Sequence, residues 1–212
     1  GFQGERLGAL DRVMATAKHF AGYGAAIAGR DYNAADMSEQ QLHEVYLPPF
    51  KAALDAGVAT FMNSFNTLNG VPATASSYLQ RDILKGQWQY PGFVVSDWAS
   101  VKELVEHGYA TDLAQAAEQA INAGSDMDME GYAFTRHLAE RVKTGKVKQE
   151  VLDDAVRRVL TKKFELGLFD DPYRYSDAAR EKAAINDPEH ARIARDVARK
   201  SLVLLKNDNG AL

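Results

Sequence analysis

The chain has 212 residues, 46% of them hydrophobic and 25% charged, with a formal net charge of −4. This composition predicts a globular protein with a substantial core, and the mildly acidic balance argues against nucleic acid as a partner. Cysteine is absent, which excludes disulfides, thiolate metal sites and thiol catalysis. The apolar runs fall short of the ~20 residues that cross a bilayer, so no membrane contact is expected.

Short apolar runs alternate with longer helix-like stretches along the chain. Strands are predicted at 15–20, 58–62 and 92–96, with a weaker candidate at 125–129. Between the second and third strands, Asn69-Gly70 and Pro72 predict a turn. Helices, several of them stopped by a glycine, are predicted at about 38–56, 77–85, 100–107, 112–123, 132–144, 149–166 and 188–206.

Strands separated by helices over ~30–40 residues indicate βα units with parallel strand pairing. The four units fit either half of a (β/α)8 barrel or an open doubly wound sheet, and periodicity does not separate these folds. In both folds the chemistry lies at the carboxyl ends of the strands. The residues at those ends are Lys18-His19, Ser64-Phe65, Asp97-Trp98 and Asp128-Met129.

Asp97 follows the apolar strand residues Val94 and Val95 and precedes Trp98. A carboxylate in this position can be a nucleophile, a base or a metal ligand, or simply the N-cap of the next helix. Trp98 favours a carbohydrate ligand, because an indole face packs well on the apolar C–H face of a sugar ring.

Lys18 and His19 offer hydrogen bonds suited to adjacent sugar hydroxyls. The alternative for this pair is a surface lysine beside a core histidine. Asp126 and Asp128 have the spacing of the Asp-x-Asp metal motif of sugar-nucleotide transferases. Two acids without a nearby histidine support that function only weakly, so we expect neither a metal nor a cofactor.

Together these motifs resemble the glycoside hydrolase family 3 β-glucosidases, in family order and spacing over nearly the whole chain. The similarity extends to the bacterial periplasmic type through Gly167-Leu168-Phe169 and Asp171-Pro172-Tyr173. The segments that carry the family resemblance are Lys18-His19-Phe20, Met62 to Gly70, Gly92 to Trp98, Gly124 to Met129 and Ser201 to Asn207.

The resemblance implies an α/β fold in which residues 1–169 form the second half of a (β/α)8 barrel. Residues 170–212 would then be a linker and helix leading to a second domain. The implied activity is that of a retaining exo-β-glycosidase that removes terminal nonreducing β-D-glucosyl residues from small oligosaccharides or glucosides. A β-xylosidase of the same family and a noncatalytic assembly unit are the alternatives. The implied location is periplasmic or secreted, although no signal peptide is recognisable at Gly1.

The resemblance also implies roles for single residues. Asp97 matches the nucleophile, Lys18 and His19 match residues that grip sugar hydroxyls, and Trp98 matches an aromatic platform. Met62 and Phe65 are expected to line the site. Many relatives have tyrosine where this chain has Phe65. The loop at 21–24 lacks the histidine of the N-acetylglucosaminidase branch, which argues against that branch.

In this family the acid/base glutamate usually comes from the second domain. A sugar-binding aspartate and arginine come from the first half of the barrel. We therefore expect the chain to be inactive alone. We also expect it to dimerise or associate with the missing half, because half a barrel has open sheet edges.

Overall fold

Five strands occur in the computed structural model, which describes residues 1–185 and 187–210. Two of them, of two residues each, form an antiparallel hairpin, and the other three form a parallel sheet. They are β1 (Thr16–Phe20), β2 (Thr60–Asn63), β3 (Thr67–Leu68), β4 (Val71–Pro72) and β5 (Phe93–Val95). The sheet order β1-β2-β5 follows the chain, and Phe61 of β2 lies between Ala17 and Val94. The predicted parallel βα architecture is confirmed, and these strands form an open sheet rather than a closed barrel.

Helices fill the connections between strands. Ser38 begins the first of them as predicted, since its hydroxyl accepts a hydrogen bond from the Gln41 backbone N–H at 3.1 Å. The α-helices are α1 (Glu39–Gln41), α2 (Pro48–Asp55), α3 (Glu103–Glu106), α4 (Leu113–Ala123), α5 (Ala133–Lys143), α6 (Gln149–Glu165), α7 (Ala178–Ile185) and α8 (Pro188–Ser201). Wider π-type turns form Leu42–Tyr46 and Tyr78–Gln87, and short 3-10 turns form Tyr23–Ala25, Ile27–Gly29 and Ala73–Ala75. Across residues 1–185 and 187–210, no helix combines the length and apolarity that a bilayer crossing requires.

Several boundaries differ from the sequence prediction. The turn predicted at Asn69-Gly70 is confirmed, and it joins β3 and β4 in a hairpin that was not predicted; both residues adopt the positive φ that two-residue hairpin turns favour. The final helix ends at Ser201 rather than 206, and α7 was not predicted. The helix after β4 continues past its predicted end to Gln87.

The predicted fourth strand at 125–129 is reduced to a single parallel bridge between Met127 and Val95. The Val94 carbonyl accepts the backbone N–H groups of both Asp126 and Met127, at 2.8 and 3.1 Å. The Val94 N–H is bonded by the side chain of Asp126 instead of by a backbone carbonyl. Because a side chain replaces one rung of the ladder, regular strand pairing does not extend further.

The chain divides into two compact units, Gly1–Asp171 and Pro172–Leu212. One apolar cluster of the first unit joins the sheet to the helix Tyr78–Gln87, and a second lies among α3 to α6. The buried side chains at the centre of these clusters are Phe20, Phe61, Leu79, Ile83 and Val94, and Val101, Leu104, Ile121 and Leu138. The second unit holds α7 and α8, and none of its described residues is buried. The division into a barrel half at 1–169 and a linker at 170–212 stays a prediction.

A buried ion pair joins the helix Tyr78–Gln87 to the segment after α4. Lys85 Nζ lies 2.6 Å from Asp126 Oδ1, and only 6% and 1% of the two side chains are exposed. Lys85 also donates to the Gly124 carbonyl at 2.8 Å, while Asp126 Oδ2 accepts the Val94 N–H at 2.8 Å. Burial lowers the pKa of Lys85 to about 8, and burial raises the pKa of Asp126. The attraction between the two charges therefore offsets the free-energy cost of burying each of them.

We expect Asp126→Ala to lower the free energy of unfolding by about 3–5 kcal/mol, because Lys85 is left as an unpaired buried charge. The double variant Lys85→Met/Asp126→Asn should recover much of this loss, since no charge stays buried and the amide oxygen still accepts from Val94. Urea denaturation measures both. Lys51→Ala, which breaks an exposed pair with Asp55 on α2, is the control and should cost at most about 1 kcal/mol. Equal losses of unfolding free energy for Asp126→Ala and Lys51→Ala would contradict a stabilising role for the buried Lys85–Asp126 pair.

Candidate active site

Two pairs of side chains form near the carboxyl ends of the three parallel strands. His19 Nε2 lies 3.1 Å from Asp97 Oδ2, and Lys18 Nζ lies 4.0 Å from the sulfur of Met62. Met62 is in register with Val95, two residues before Asp97. Parallel strands bring their carboxyl ends to one edge of a sheet, which is why residues far apart in sequence converge here.

The backbone on both sides of Asp97 is held by the segment after α4. The Ser96 and Ala99 N–H groups donate to the carbonyls of Met127 and Met129, both at 2.8 Å. The Ser96 hydroxyl accepts the Met129 N–H at 2.8 Å. Asp97 is thus fixed by neighbours that are themselves bonded.

The two carboxylate oxygens of Asp97 differ in their bonding. Oδ1 accepts the N–H of Trp98 at 2.7 Å. Oδ2 is out of contact with solvent and accepts no aligned hydrogen bond from any residue in 1–185 or 187–210. The helix-cap alternative does not hold, because α3 begins only at Glu103 and has Lys102 at its N-cap. An unsatisfied, desolvated carboxylate oxygen costs free energy, and a catalytic role is one reason for its retention.

His19 is adapted to be neutral beside this carboxylate. Burial lowers its pKa below the ordinary value, opposed by the negative charge of Asp97 and assisted by the positive charge of Lys18. A neutral imidazole can donate a hydrogen bond from one ring nitrogen and accept one at the other. That capacity suits a partner, such as a hydroxyl, that both donates and accepts.

Aromatic side chains form a wall beside the histidine. The ring of Tyr23 meets His19 edge-on, with centroids 5.0 Å apart. Phe65 packs against Tyr32 at 4.5 Å and Tyr23 at 6.2 Å. Trp98 is 62% exposed, immediately after Asp97. The wall and the exposed indole supply the apolar surface that a sugar ring needs.

Sequence reasoning missed four members of this neighbourhood, which are Tyr23, Asp31, Tyr32 and Glu103. The Tyr23 hydroxyl donates a hydrogen bond to the Asp31 carboxylate. Glu103 interacts electrostatically with both Asp31 and Asp97. Burial raises the pKa of Glu103, and the negative charges of Asp97 and Asp31 raise it further. Asp31 could have been found from its place in the loop after β1, at the chemical edge of the sheet. No local pattern distinguishes Glu103 from other acids on helix surfaces.

The two aspartates considered for metal binding have structural partners instead. Asp126 pairs with Lys85, and Asp128 Oδ2 accepts the N–H groups of Ala133 and Phe134 at 2.8 and 3.2 Å. Asp128 therefore caps the first turn of α5. Within the described ranges no three His, Cys, Asp or Glu side chains are grouped closely enough to hold a metal ion.

Comparison with known proteins decides the family. Residues 1–162 match the profile described as the glycosyl hydrolase family 3 N-terminal domain. The chain belongs to glycosyl hydrolase family 3. It is 45% identical over 198 residues to a periplasmic β-glucosidase of Salmonella typhimurium, and 37% identical over 211 residues to a β-xylosidase of Formosa agariphila.

Solved structures agree with this family 3 assignment. A β-glucosidase of Listeria innocua in complex with isofagomine superposes with a TM-score of 0.91 at 38% identity. The comparison covers 100% of this chain and 30% of that enzyme, while the match to the Salmonella typhimurium protein covers 92% and 26%. The family 3 chain described here thus spans less than a third of these relatives' lengths.

The imidazole of His19 is expected to titrate below its ordinary pKa of about 6.5. Asp97→Asn should lower the midpoint further, because an opposing negative charge is lost, whereas Lys18→Met should raise it. The unfolded chain protonates His19 near its ordinary pKa, whereas the folded chain does so only at lower pH. Acidification from the ordinary pKa to the lowered one therefore destabilises the fold. Imidazole nitrogen–proton NMR spectra recorded against pH measure the midpoints. A wild-type midpoint above 6.5 would contradict the conclusion that burial lowers the pKa of His19.

Proposed function

We propose that the protein hydrolyses the terminal nonreducing β-D-glucosyl residue of small oligosaccharides or glucosides. The observation that carries this proposal is the Asp97 carboxylate at the end of β5, with His19 Nε2 3.1 Å away and one oxygen left without an aligned partner. Membership of family 3 and the similarity to β-glucosidases support the same activity. The reaction requires no metal and no cofactor.

Asp97 is the proposed nucleophile of a retaining double displacement. Its Oδ2 forms a bond to the anomeric carbon as the bond to the leaving oxygen breaks, and an acid protonates that oxygen. Water then attacks the same carbon, giving its proton to the same group and freeing Asp97. His19, turning from Oδ2 towards a sugar hydroxyl, would expose the attacking oxygen.

The remaining predicted site residues bind the sugar in this proposal. Lys18 and His19 hydrogen-bond its hydroxyls, while Met62 and Phe65 line the site. Trp98 offers its exposed face to the ring or to the group that leaves. In this proposal the acid/base residue lies outside the 212 residues, as do an aspartate and an arginine that also bind the sugar.

A β-xylosidase is the second candidate. Relatives named as β-xylosidases in Formosa agariphila and Aspergillus fumigatus are 37% and 38% identical to this chain. The two substrates differ by the hydroxymethyl group at C5, so relative kcat/KM on nitrophenyl β-glucoside and β-xyloside distinguishes them. The greater identity to a periplasmic β-glucosidase favours the glucoside and a periplasmic or secreted location.

We expect a mechanism-based 2-fluoroglucoside to label Asp97 in the protein that carries this chain, as peptide mass spectrometry would reveal. Asp97→Asn preserves the side-chain shape but should lower kcat by roughly 10³- to 10⁵-fold, because the nucleophile is lost. Asp11→Asn, at an exposed position before β1, is the matched control and should retain turnover. Labelling of another carboxylate, with Asp97→Asn active, would refute the assignment.

The 212 residues alone should turn over nitrophenyl β-glucoside about 10²- to 10⁴-fold more slowly than the protein carrying them, because the acid/base residue is missing. They should also self-associate in light scattering, since β1 leaves one edge of the sheet without a partner strand among the described residues. The exposed face of α6 formed by Val156, Leu160 and Phe164 adds to that tendency. Full turnover by a monomer would contradict both expectations.

A further inference from the structure

We propose that Asp31 is a positioning residue that fixes the aromatic wall beside the nucleophile. It would act through two tyrosines, one in contact with His19 and both in contact with Phe65. This proposal rests on the proposed glycosidase function, because its kinetic consequence is read through that reaction. Its structural consequence, the placement of the His19 ring, is independent of turnover.

The first connection runs through Tyr23. Its hydroxyl donates a hydrogen bond to Asp31 Oδ1, and its ring meets His19 edge-on with centroids 5.0 Å apart. His19 in turn lies 3.1 Å from Asp97. Without the Asp31 acceptor, the hydroxyl of the half-buried residue Tyr23 would lose this partner, and the ring that supports His19 would be less restrained.

The second connection runs through Tyr32. The backbone N–H of Tyr32 donates to the same oxygen, Asp31 Oδ1, at 2.9 Å. Tyr32 has a φ of 64°, a left-handed conformation that costs a residue with a Cβ roughly 1–2 kcal/mol. The hydrogen bond to Asp31 helps to hold this left-handed backbone conformation. In that conformation the centroids of the Tyr32 and Phe65 rings are 4.5 Å apart.

The charge of Asp31 indicates that its position serves the site rather than the fold. Asp31 is exposed, so it adds no buried apolar area to the core. Its negative charge acts unfavourably on Glu103, which already faces the charge of Asp97. A third carboxylate in this neighbourhood is electrostatically unfavourable, and its two bonds to Tyr23 and Tyr32 are the compensating contribution.

The test compares Asp31→Ala with Asp31→Asn in the protein that carries this chain. Asp31→Ala should lower kcat/KM on nitrophenyl β-glucoside about 10- to 100-fold, the effect of misplacing groups by about 1 Å. Asp31→Asn keeps an oxygen that accepts both bonds and should stay within about threefold of wild type. The matched control is Asp36→Ala, at an exposed position of the same loop, which should leave kcat/KM unchanged.

Two further measurements separate positioning from mere stability and from failure of the proposed function. Asp31→Ala should shift the imidazole NMR signals of His19 more than Asp31→Asn, which removes the same charge but keeps the acceptor, and Asp36→Ala should not shift them, whether or not the protein hydrolyses glycosides. Tyr23→Phe should shift them in the same direction, and the double variant should be less than additive. An unaltered His19 signal in Asp31→Ala overturns the proposal, as does an Asp31→Asn variant as impaired as Asp31→Ala. Absence of glycosidase turnover in wild type, with the His19 shift present, rejects the proposed function alone.

Discussion

The buried pair of Lys85 and Asp126 is the constraint on which the arrangement around Asp97 depends. Asp126 bonds the backbone of β5 at Val94, and Lys85 bonds the carbonyl at the end of α4. The residues that follow, Met127 and Met129, then reach the backbone on either side of Asp97. A charge pair enclosed in the fold thus helps to determine where Asp97, two residues beyond the end of β5, can lie.

This constraint explains why the fourth strand predicted from the sequence is not regular. Apolar content and spacing marked 125–129 as a strand, but they carry no information on a side chain that replaces a backbone rung. The strands at 58–62 and 92–96 are predicted because each is a short, mainly apolar run, and the strand at 15–20 because it is short and followed by glycines. The hairpin around Asn69-Gly70 was identified only as a turn, since strands of two residues leave no periodic pattern.

The candidate site could be predicted as far as strand ends allow. Lys18, His19, Met62 and Asp97 follow or end strands, and parallel pairing brings such residues to one edge. Asp31 and Glu103 belong to a loop and a helix whose paths towards Asp97 depend on tertiary packing. Asp97 was favoured over Asp126 because it follows the apolar run Val94-Val95 and precedes Trp98, and the family resemblance strengthened that choice.

The contrast between these two aspartates shows how one structure supports two kinds of carboxylate. Asp126 is enclosed, and both of its oxygens are occupied, by Lys85 and by the Val94 N–H. Asp97 has one oxygen held by Trp98 and the other without an aligned donor, beside a histidine that burial keeps neutral. Because a neutral imidazole attracts a carboxylate less than a charged one, the free oxygen keeps more of its capacity to react. Full satisfaction thus suits Asp126 to hold the fold, and the unbonded Oδ2 of Asp97 is consistent with the nucleophilic role proposed for it.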